Sequence, residues 1–206
     1  MLQVGSHLGQ WRLEDLIRPG NPSLFLASRG DQDVTLKVAR IDDAAQVTHR
    51  REIDATQGLL HPNILKPIDA GICYHDSVVY SAYPTYRAVT LADRLREGPV
   101  PWQEATRLFF EAAIALNQLH ERGRVHRGIS PEHILLTESD GVLLTGFEGA
   151  MDFDEIPYAS SSSQDLVYLA PEVAAAPTAA HTTSDIYALG VILFEALSGR
   201  TPGPAA

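Results

Sequence analysis

The segment from Asp185 to Leu197, D-I-Y-A-L-G-V-I-L-F-E-A-L, constrains the fold of this chain more than any other. Its spacing predicts a helix that is apolar nearly all round. Such a helix is normally buried, whereas a surface helix keeps one polar face. We therefore expect this helix at the centre of a folded unit and not on its surface.

The sequence pattern up to residue 83 predicts several short strands and one helix. W-R-L-E-D-L-I and L-F-L-A-S read as strands separated by a breaker cluster at residues 18–22 that is rich in Pro, Gly and Asn. D-V-T-L-K-V-A alternates as a strand does, and residues 77–83 are strand-like. Residues 44–60 have helical character, and Pro62 should stop that helix.

Helical patterns dominate after Leu91. A short helix begins there and should end at Gly98 and Pro99, and short strands follow at residues 134–136 and 142–144. Residues 102–122 form an amphipathic pattern whose apolar face carries Ala105, Leu108, Phe109, Ala112, Ala113, Leu116 and Leu119. Strands first and helices afterwards predict an α+β fold of two lobes with a cleft between them.

Charge and cysteine content narrow the classes of function. The formal net charge is −10, from 26 acidic and 16 basic side chains. An acidic surface repels phosphate backbones and anionic lipid, so we expect neither nucleic acid nor membrane as a partner. Cys73 is the single cysteine, which fits a reducing compartment. No export signal or apolar run of about 20 residues is visible, so we expect a cytoplasmic protein.

Six landmarks occur in an order that resembles the eukaryotic-type protein kinase family, including its bacterial Ser/Thr members. They are V-T-L-K ending at Lys37, the helical Glu52, H-P-N-I at residues 61–64, L-H-E-R-G-R-V-H-R, Y-L-A-P-E ending at Glu172, and S-D-I-Y-A-L-G from Ser184. The resemblance implies a two-lobed kinase-like fold. A small antiparallel β N-lobe with one helix (about 9–83) precedes a hinge (84–90) and a mostly helical, partial C-lobe (91–206) that ends after its central helix.

The reactive positions of the family pattern are replaced. Phosphoryl transfer needs a phosphate cradle, Mg²⁺ ligands and a carboxylate that orients the attacking hydroxyl. Ile17, Pro19 and Pro22 fall on the three glycine positions of the cradle, and proline has no N–H to donate. The loop Val125–Leu136, V-H-R-G-I-S-P-E-H-I-L-L, has Gly128 at the position of the base.

The metal positions of the family pattern are also replaced. His133 takes the place of the metal-binding Asn, and Gly146 takes the place of the metal-binding Asp. Ser130 stands where the family has a phosphate-facing Lys. Mg²⁺ prefers oxygen ligands, so no catalytic residue and no magnesium site are expected. A soft-metal site of His133 with His126 is conceivable, but a polar loop residue is the favoured interpretation.

Other family positions are retained. Lys37 and Glu52 can form the ion pair that holds the helix of the N-lobe, or can contact nucleotide phosphates. Leu24, Thr35 and Leu135 correspond to positions around an adenine ring. ATP binding is therefore possible, although no cofactor is required.

Arg127 receives a phosphorylated residue of the activation segment in the family. The corresponding acidic segment here contains Glu148, Asp152, Asp154, Glu155 and Asp165. One hypothesis is that Arg127 pairs with one of these carboxylates and so fixes an active-like shape; a solvated acidic loop is the alternative. We therefore regard Arg127 and Asp165 as regulatory candidates.

These residues predict a catalytically impaired kinase-like domain, a pseudokinase that acts as a scaffold or allosteric regulator. The alternatives are a weakly active or non-standard Ser/Thr kinase and a nucleotide sensor. Family members continue past G-R-T-P with further helices, one of which supplies an Arg to Glu172. We therefore expect a protein partner on the exposed side of the central helix, either an active kinase or a second copy, unless the chain is a truncated piece. Richness in Ala and Arg hints at a bacterial source.

Overall fold

The computed structural model describes residues 2–139, 141–152 and 166–202. The chain divides into two compact units. The first unit is Met1–Thr56 with Lys66–Tyr86, and the second is Gln57–Leu65 with Arg87–Ala206.

The first unit is built on a six-stranded antiparallel sheet, in the order β1-β2-β3-β4-β6-β5. The predicted strands form, and no pattern in the sequence indicated β1 or β5. The strands are β1 (His7–Leu8), β2 (Trp11–Arg18), β3 (Ser23–Arg29), β4 (Gln32–Arg40), β5 (Asp69–Cys73) and β6 (Val78–Pro84).

Side-chain alternation gives this sheet two different faces. One face is an apolar core whose buried members include Trp11, Phe25, Val34, Leu36 and Ala82. The opposite face carries Lys37, because successive residues of β4 point to opposite sides. Position 37 therefore has buried neighbours in its own strand but projects away from the core.

One helix, α1 (Asp43–Thr56), belongs to the first unit. Asp42 begins it, since its Oδ1 accepts a hydrogen bond from the backbone N–H of Ala45 at 2.6 Å. The helix ends before the predicted stop at Pro62. Gly58 adopts a left-handed conformation with φ of +71°, which ends the helical path earlier.

The second unit combines helices with short strands. A three-stranded sheet has the order β10-β9-β7, and β8 pairs with β11. The strands are β7 (Ala88–Thr90), β8 (Arg124–Val125), β9 (Ile134–Thr137), β10 (Val142–Leu144) and β11 (Met151–Asp152). The helices are α2 (Leu91–Arg96), α3 (Trp102–His120), α4 (Pro171–Ala175) and α5 (Thr182–Ser198).

Helix α3 buries the predicted apolar face with one change. Ala115 is buried, whereas Ala113 is only half-buried. A buried face wraps gradually around a straight helix because 3.6 residues make one turn, so the two alanines lie at its edges. The remaining buried residues are Ala105, Leu108, Phe109, Ala112, Leu116 and Leu119.

Helix α5 is buried on one side only, which differs from the expected central position. Leu189 and Ile192 are buried, whereas Ile186, Phe194 and Leu197 are 52%, 42% and 45% exposed. The uniform apolar pattern could not reveal this difference, because the exposure of each side chain of α5 depends on which other residues pack against it.

The predicted α+β class is confirmed, with an antiparallel sheet in the first unit and a mostly helical second unit. Within the described ranges, none of the helices combines the length and the apolar character that crossing a bilayer requires.

Candidate functional site

Lys37 and Glu52 form a direct ion pair in the first unit. Lys37 Nζ lies 3.0 Å from Glu52 Oε1, and Glu52 is only 4% exposed. A carboxylate so deeply buried needs a hydrogen-bonded cation to offset its lost hydration. The pair therefore joins β4 to α1.

Helix α1 has a second attachment to the sheet. His49 Nε2 lies 2.8 Å from the carbonyl oxygen of Tyr80 on β6, so this ring nitrogen donates. His49 and Glu52 are three residues apart and therefore project from the same side of the helix. Together they hold α1 on the face of the sheet that carries Lys37.

Two predicted adenine contacts lie on the same face as Lys37. Leu24 of β3 is the cross-strand partner of Lys37, and Thr35 precedes Lys37 by two positions on β4. Paired residues and residues two apart share a face of the sheet. Leu135 belongs to β9 of the second unit. The adenine-contact assignment of these three residues stays a prediction.

The turn between β2 and β3 is fixed by its own hydrogen bonds. Ser23 Oγ donates to the carbonyl oxygen of Gly20 at 2.6 Å, and Asn21 Oδ1 accepts from the N–H of Arg40 at 3.0 Å. Pro19 and Pro22 contribute no N–H. This turn thus has few backbone donors to offer to a phosphate group.

In the second unit, the Asp185 carboxylate holds the backbone of the loop that follows β8. It accepts hydrogen bonds from the N–H groups of His126 at 2.8 Å and Arg127 at 2.9 Å. His120 Nε2 donates to the same carboxylate at 2.8 Å. Arg127 has φ of +61°, which is uncommon for a residue other than glycine, and the two backbone bonds stabilise it.

His126 is a buried ring of fixed orientation. Its Nδ1 accepts from the N–H of Gly128 at 3.2 Å, so its Nε2 donates to the carbonyl oxygen of Thr145 at 2.9 Å. The ring packs on Phe147 with centroids 4.8 Å apart. Burial lowers the pKa of His126 to about 4, against the opposing attraction of the Asp185 carboxylate. The ring is therefore neutral at physiological pH.

Gly128, His133 and Gly146 lie together in one contact set. His133 Nδ1 lies 2.6 Å from the carbonyl oxygen of Gly128 and donates to it. A Cβ atom added to Gly146 would lie 2.4 Å from Cγ, 2.5 Å from Cδ2 and 2.7 Å from Nδ1 of His133. The imidazole therefore fills the space that a side chain at position 146 would need.

The β9–β10 hairpin brings positions 133 and 146 together. Ile134 pairs with Leu144, and just beyond that pair the N–H of Thr145 donates to the carbonyl oxygen of His133 at 2.9 Å. Strand β10 is attached to α3, because Glu111 Oε2 accepts from the N–H of Val142 at 2.9 Å. The register of the hairpin thus places His133 over Gly146.

The Arg127 guanidinium contacts Met151 and donates to the carbonyl oxygen of Pro177 at 3.2 Å. Asp152, one of its candidate acidic partners, instead accepts from Arg124 Nε at 2.7 Å. Asp165, Asp154 and Glu155 lie outside the described residues. Pairing of Arg127 with an acidic side chain stays a prediction.

Glu172 is held within the second unit by a residue that sequence reasoning missed. Ser184 Oγ donates to Glu172 Oε1 at 2.8 Å, which joins α4 to α5. The resemblance assigned this carboxylate to an Arg further along the family's chain. His120, the third partner of Asp185, was also missed; its place at the end of α3, shortly before β8, was the available signal.

The sequence matches a family model described as protein kinase domain over residues 24–206. The chain belongs to the protein kinase family. This match confirms the resemblance stated from the six landmarks, because it spans all of them.

Relatives of this kinase domain include bacterial Ser/Thr kinases. Serine/threonine-protein kinase PrkC of Bacillus subtilis is 32% identical over 179 residues, which make up 84% of this chain and 27% of PrkC. Probable serine/threonine-protein kinase PknB of Lactococcus lactis is 33% identical over 180 residues, or 84% of this chain and 28% of that protein. Serine/threonine-protein kinase PknJ of Mycobacterium tuberculosis is 30% identical over 214 residues, which make up 98% of this chain and 36% of PknJ. The chain thus spans about a quarter to a third of the length of these relatives.

A kinase domain ordinarily positions Mg²⁺ with an Asp and an Asn, and the corresponding residues here do not fit that ion. Gly146 has no ligand atom in a side chain, and the Nδ1–H of His133 is committed to the carbonyl oxygen of Gly128. Mg²⁺ demands near-octahedral oxygen ligands. Among the described residues, no three His, Cys, Asp or Glu side chains come close enough together to hold a metal ion.

The alternative soft-metal site of His126 with His133 also lacks support from the hydrogen bonds. The two rings have centroids 6.3 Å apart. Both nitrogens of His126 are engaged with backbone groups, and a metal ligand needs a free lone pair. The hydrogen bonds therefore favour a polar loop residue at position 133.

Proposed function

We propose that this kinase domain is a pseudokinase, which acts as a scaffold or allosteric regulator in phosphorylation signalling and does not transfer phosphate. The observation that carries this proposal is the contact set of Gly128, His133 and Gly146. These three residues occupy the positions of the base and the two metal ligands of the family. Glycine supplies no reactive side chain at two of them, and the third is an imidazole bonded to its neighbour.

The size of the expected loss supports an inactive domain. A positioned general base contributes roughly 10²- to 10⁴-fold to rate. A metal ion further stabilises the charge that develops on the transferred phosphoryl group. Because protein kinases turn over at about 1–100 s⁻¹, losing the base and the metal together leaves little activity. The alternative, a weak or non-standard Ser/Thr kinase, needs another source for both contributions.

A phosphorylation assay tests the proposal directly. The purified protein is incubated with radiolabelled ATP and Mg²⁺ or Mn²⁺, with a general protein substrate, beside an active Ser/Thr kinase. We expect incorporation at least about 10⁴-fold below the active kinase. Incorporation within tenfold of the active kinase, lost in Lys37→Met, would establish the enzyme alternative instead.

A second candidate function is nucleotide sensing without hydrolysis. The Lys37–Glu52 ion pair favours it, because Nζ remains 3.0 Å from Oε1 although the reactive positions are replaced. A cation on the sheet face can attract phosphate groups. A thermal-shift titration with ATP in EDTA, with Lys37→Met as the comparison, tests this candidate. No shift at millimolar ATP removes the sensor function.

A protein partner completes the proposal. The regulated protein is an active kinase, or the domain associates with a second copy of itself through α5, where Ile186, Phe194 and Leu197 are exposed. Full burial of an exposed side chain of this size gains about 1.5–3 kcal/mol, and because these three are already about half buried, covering each gains roughly half of that. Sedimentation at micromolar concentration tests self-association, and a monomer removes the second copy. The proposal retains a cytoplasmic location and a bacterial source, the latter in keeping with the relatives' organisms.

A further inference from the structure

We infer that His133 and Gly146 are a coupled pair in which the imidazole blocks the metal position, so that any nucleotide bound by this domain is held without a divalent cation. This inference rests on the proposed function, since it concerns the same site. It adds that the two replacements depend on each other. Restoring a carboxylate at position 146 alone therefore cannot restore a metal site.

The overlap at position 146 is too close for ordinary adjustment. The nearest atoms to an added Cβ are ring atoms at 2.4, 2.5 and 2.7 Å, well inside normal carbon contact distances of about 3.5–4.0 Å. One of these atoms is Cγ, which is joined directly to Cβ of His133. It lies at the near end of the side chain and moves little when the ring turns.

The ring of His133 is also held in place. Its Nδ1–H donates to the carbonyl oxygen of Gly128 at 2.6 Å, and Ser130 Oγ lies 3.3 Å from the same nitrogen. The N–H of His133 donates to the carbonyl oxygen of Ser130 at 3.0 Å, and its carbonyl oxygen accepts from Thr145 at 2.9 Å. The imidazole can leave the space over Gly146 only by breaking the bond to Gly128.

The coupled pair also explains why a divalent cation finds no ligands here. The carbonyl oxygen of Gly128 is engaged by His133, and neither position 128 nor 146 has a side-chain oxygen. A cation entering this space would lose water ligands and would find no carboxylate or amide oxygen at position 128 or 146 in return, which Mg²⁺ resists strongly. The exclusion is therefore both steric and chemical.

A thermal-unfolding comparison tests the steric half without any metal. The variants are Gly146→Asp, His133→Asn and the double variant. Gly5→Asp is the matched control, because Gly5 has φ of +89° against +83° for Gly146, yet an added Cβ at Gly5 meets nothing within 4 Å. The control shares any cost of the left-handed backbone. Gly5 is exposed whereas Gly146 is half-buried, so the pair Gly146→Ala and Gly5→Ala, which adds no charge, completes the comparison.

We expect Gly146→Asp to lower the melting temperature by at least about 4 °C more than Gly5→Asp does. The double variant should recover most of that difference, because asparagine lacks the ring and can turn about its Cα–Cβ bond, which carries its Cγ away from position 146. If Gly146→Asp does not fold, recovery of a folded double variant carries the same test, and Gly146→Ala gives a milder overlap. Equal melting temperatures for Gly146→Asp and Gly5→Asp, or no recovery in the double variant, overturn the inference.

A second arm measures the chemical half. Thermal shifts are recorded with a non-hydrolysable ATP analogue in EDTA, in Mn²⁺ and in Zn²⁺. We expect a Mn²⁺-dependent shift in the double variant alone. A Mn²⁺-dependent shift in the wild type or in Gly146→Asp, or none in the double variant, overturns the inference. A Zn²⁺-dependent shift in the wild type that His133→Asn removes also overturns it, since His133 would then be a ligand.

These outcomes are separate from those of the proposed function. Phosphate transfer by the wild type, with the stability coupling intact, overturns the proposed function alone. Absence of coupling, with no phosphate transfer by the wild type, overturns the inference alone.

Discussion

The Lys37–Glu52 pair of the first unit keeps the residues of the family pattern, whereas the loop after β8 in the second unit departs from that pattern. In the first, a charged pair with a direct 3.0 Å contact retains the residues of the family pattern. In the second, glycine and histidine stand at the family's positions for the base and the metal ligands. Asp185, the carboxylate that accepts hydrogen bonds from the loop backbone, is retained. The comparison shows that an ion pair and the carboxylate that shapes the loop keep the family pattern, while the residues at the base and metal positions depart from it.

The largest expected effect is at Asp185, which tests whether the loop is held as described. This carboxylate is 2% exposed and accepts from His120, His126 and Arg127. Asp185→Ala leaves buried donors without an acceptor, so we expect a loss of about 3–5 kcal/mol in the free energy of unfolding. Urea denaturation measures it.

Asp152→Ala is the matched control for that experiment. Asp152 also accepts from an arginine, Arg124 at 2.7 Å, but its side chain is exposed. Exposed ion pairs contribute about 0–1 kcal/mol. Similar losses for the two alanine variants would show that the Asp185 bonds do not hold the loop.

The next effect is expected at Lys37. Lys37→Met removes the ammonium group that lies 3.0 Å from the buried Glu52 carboxylate, so we expect a loss of about 3 kcal/mol in the free energy of unfolding. The double variant Lys37→Met/Glu52→Met should regain much of that loss, because apolar residues of similar size can replace a buried pair. Chemical denaturation of the single and double variants gives the coupling energy.

Arg50 offers a control within the same helix. It pairs with Asp54 at 3.4 Å between exposed side chains, so Arg50→Ala should cost only about 0.3–0.5 kcal/mol. If Lys37→Met costs no more than this, the retained pair is not structural, and the contrast between the two regions weakens.

A smaller, pH-dependent effect is expected from His126. Its pKa is about 4 in the folded protein and 6.5 in its ordinary state, so the unfolded chain binds the extra proton between these values. Stability is unaffected by this group above about pH 6.5 and falls as the pH decreases towards 4. The loss should reach about 2 kcal/mol at pH 5.

His126→Gln isolates that contribution, because glutamine keeps an N–H donor for the carbonyl oxygen of Thr145 and does not titrate. Denaturation at several pH values should give a flatter slope for the variant between pH 6.5 and 5. Parallel slopes for the variant and the wild type would mean that His126 is not held neutral by burial.

The smallest effect is expected at Ser184. Ser184→Ala removes the hydroxyl that donates to Glu172 at 2.8 Å, and a hydrogen bond to a charged group contributes about 1.5 kcal/mol or less where the acceptor is exposed to water. We expect a loss of about 1 kcal/mol by urea denaturation. Thr183→Ala, which removes a hydroxyl at an exposed position in the same turn of α5, should change stability less.

The sequence was sufficient where a pattern repeats over many residues. Helix α3 and strands β2, β3, β4 and β6 have clear periodicity. Strand β5, D-A-G-I-C, contains a glycine and no alternation; it is a strand because β6 pairs with it. Strands β8 and β11 have two residues each, too few for any periodicity to show.

The candidate site was predictable as a set of replacements but not as a set of contacts. The motifs alone identified Gly128, His133 and Gly146. That the imidazole of His133 covers Gly146 depends on the register of β9 and β10 and on the left-handed conformation of Gly146. Both are three-dimensional properties, so a linear motif could not contain them.

The hydrogen bonds of Asp185 also show which property of the loop a match to the kinase family reflects. It is distant in sequence from His126 and Arg127, yet its two backbone bonds set the course of their loop. Those bonds involve no side chain of the loop, so exchanges at Gly128, Ser130 and His133 leave them intact. A chain can therefore keep the likeness of its family whichever residues stand at the reactive positions. In this chain the retained family motif reports how the backbone of the loop is held, and the chemistry must be determined one residue at a time.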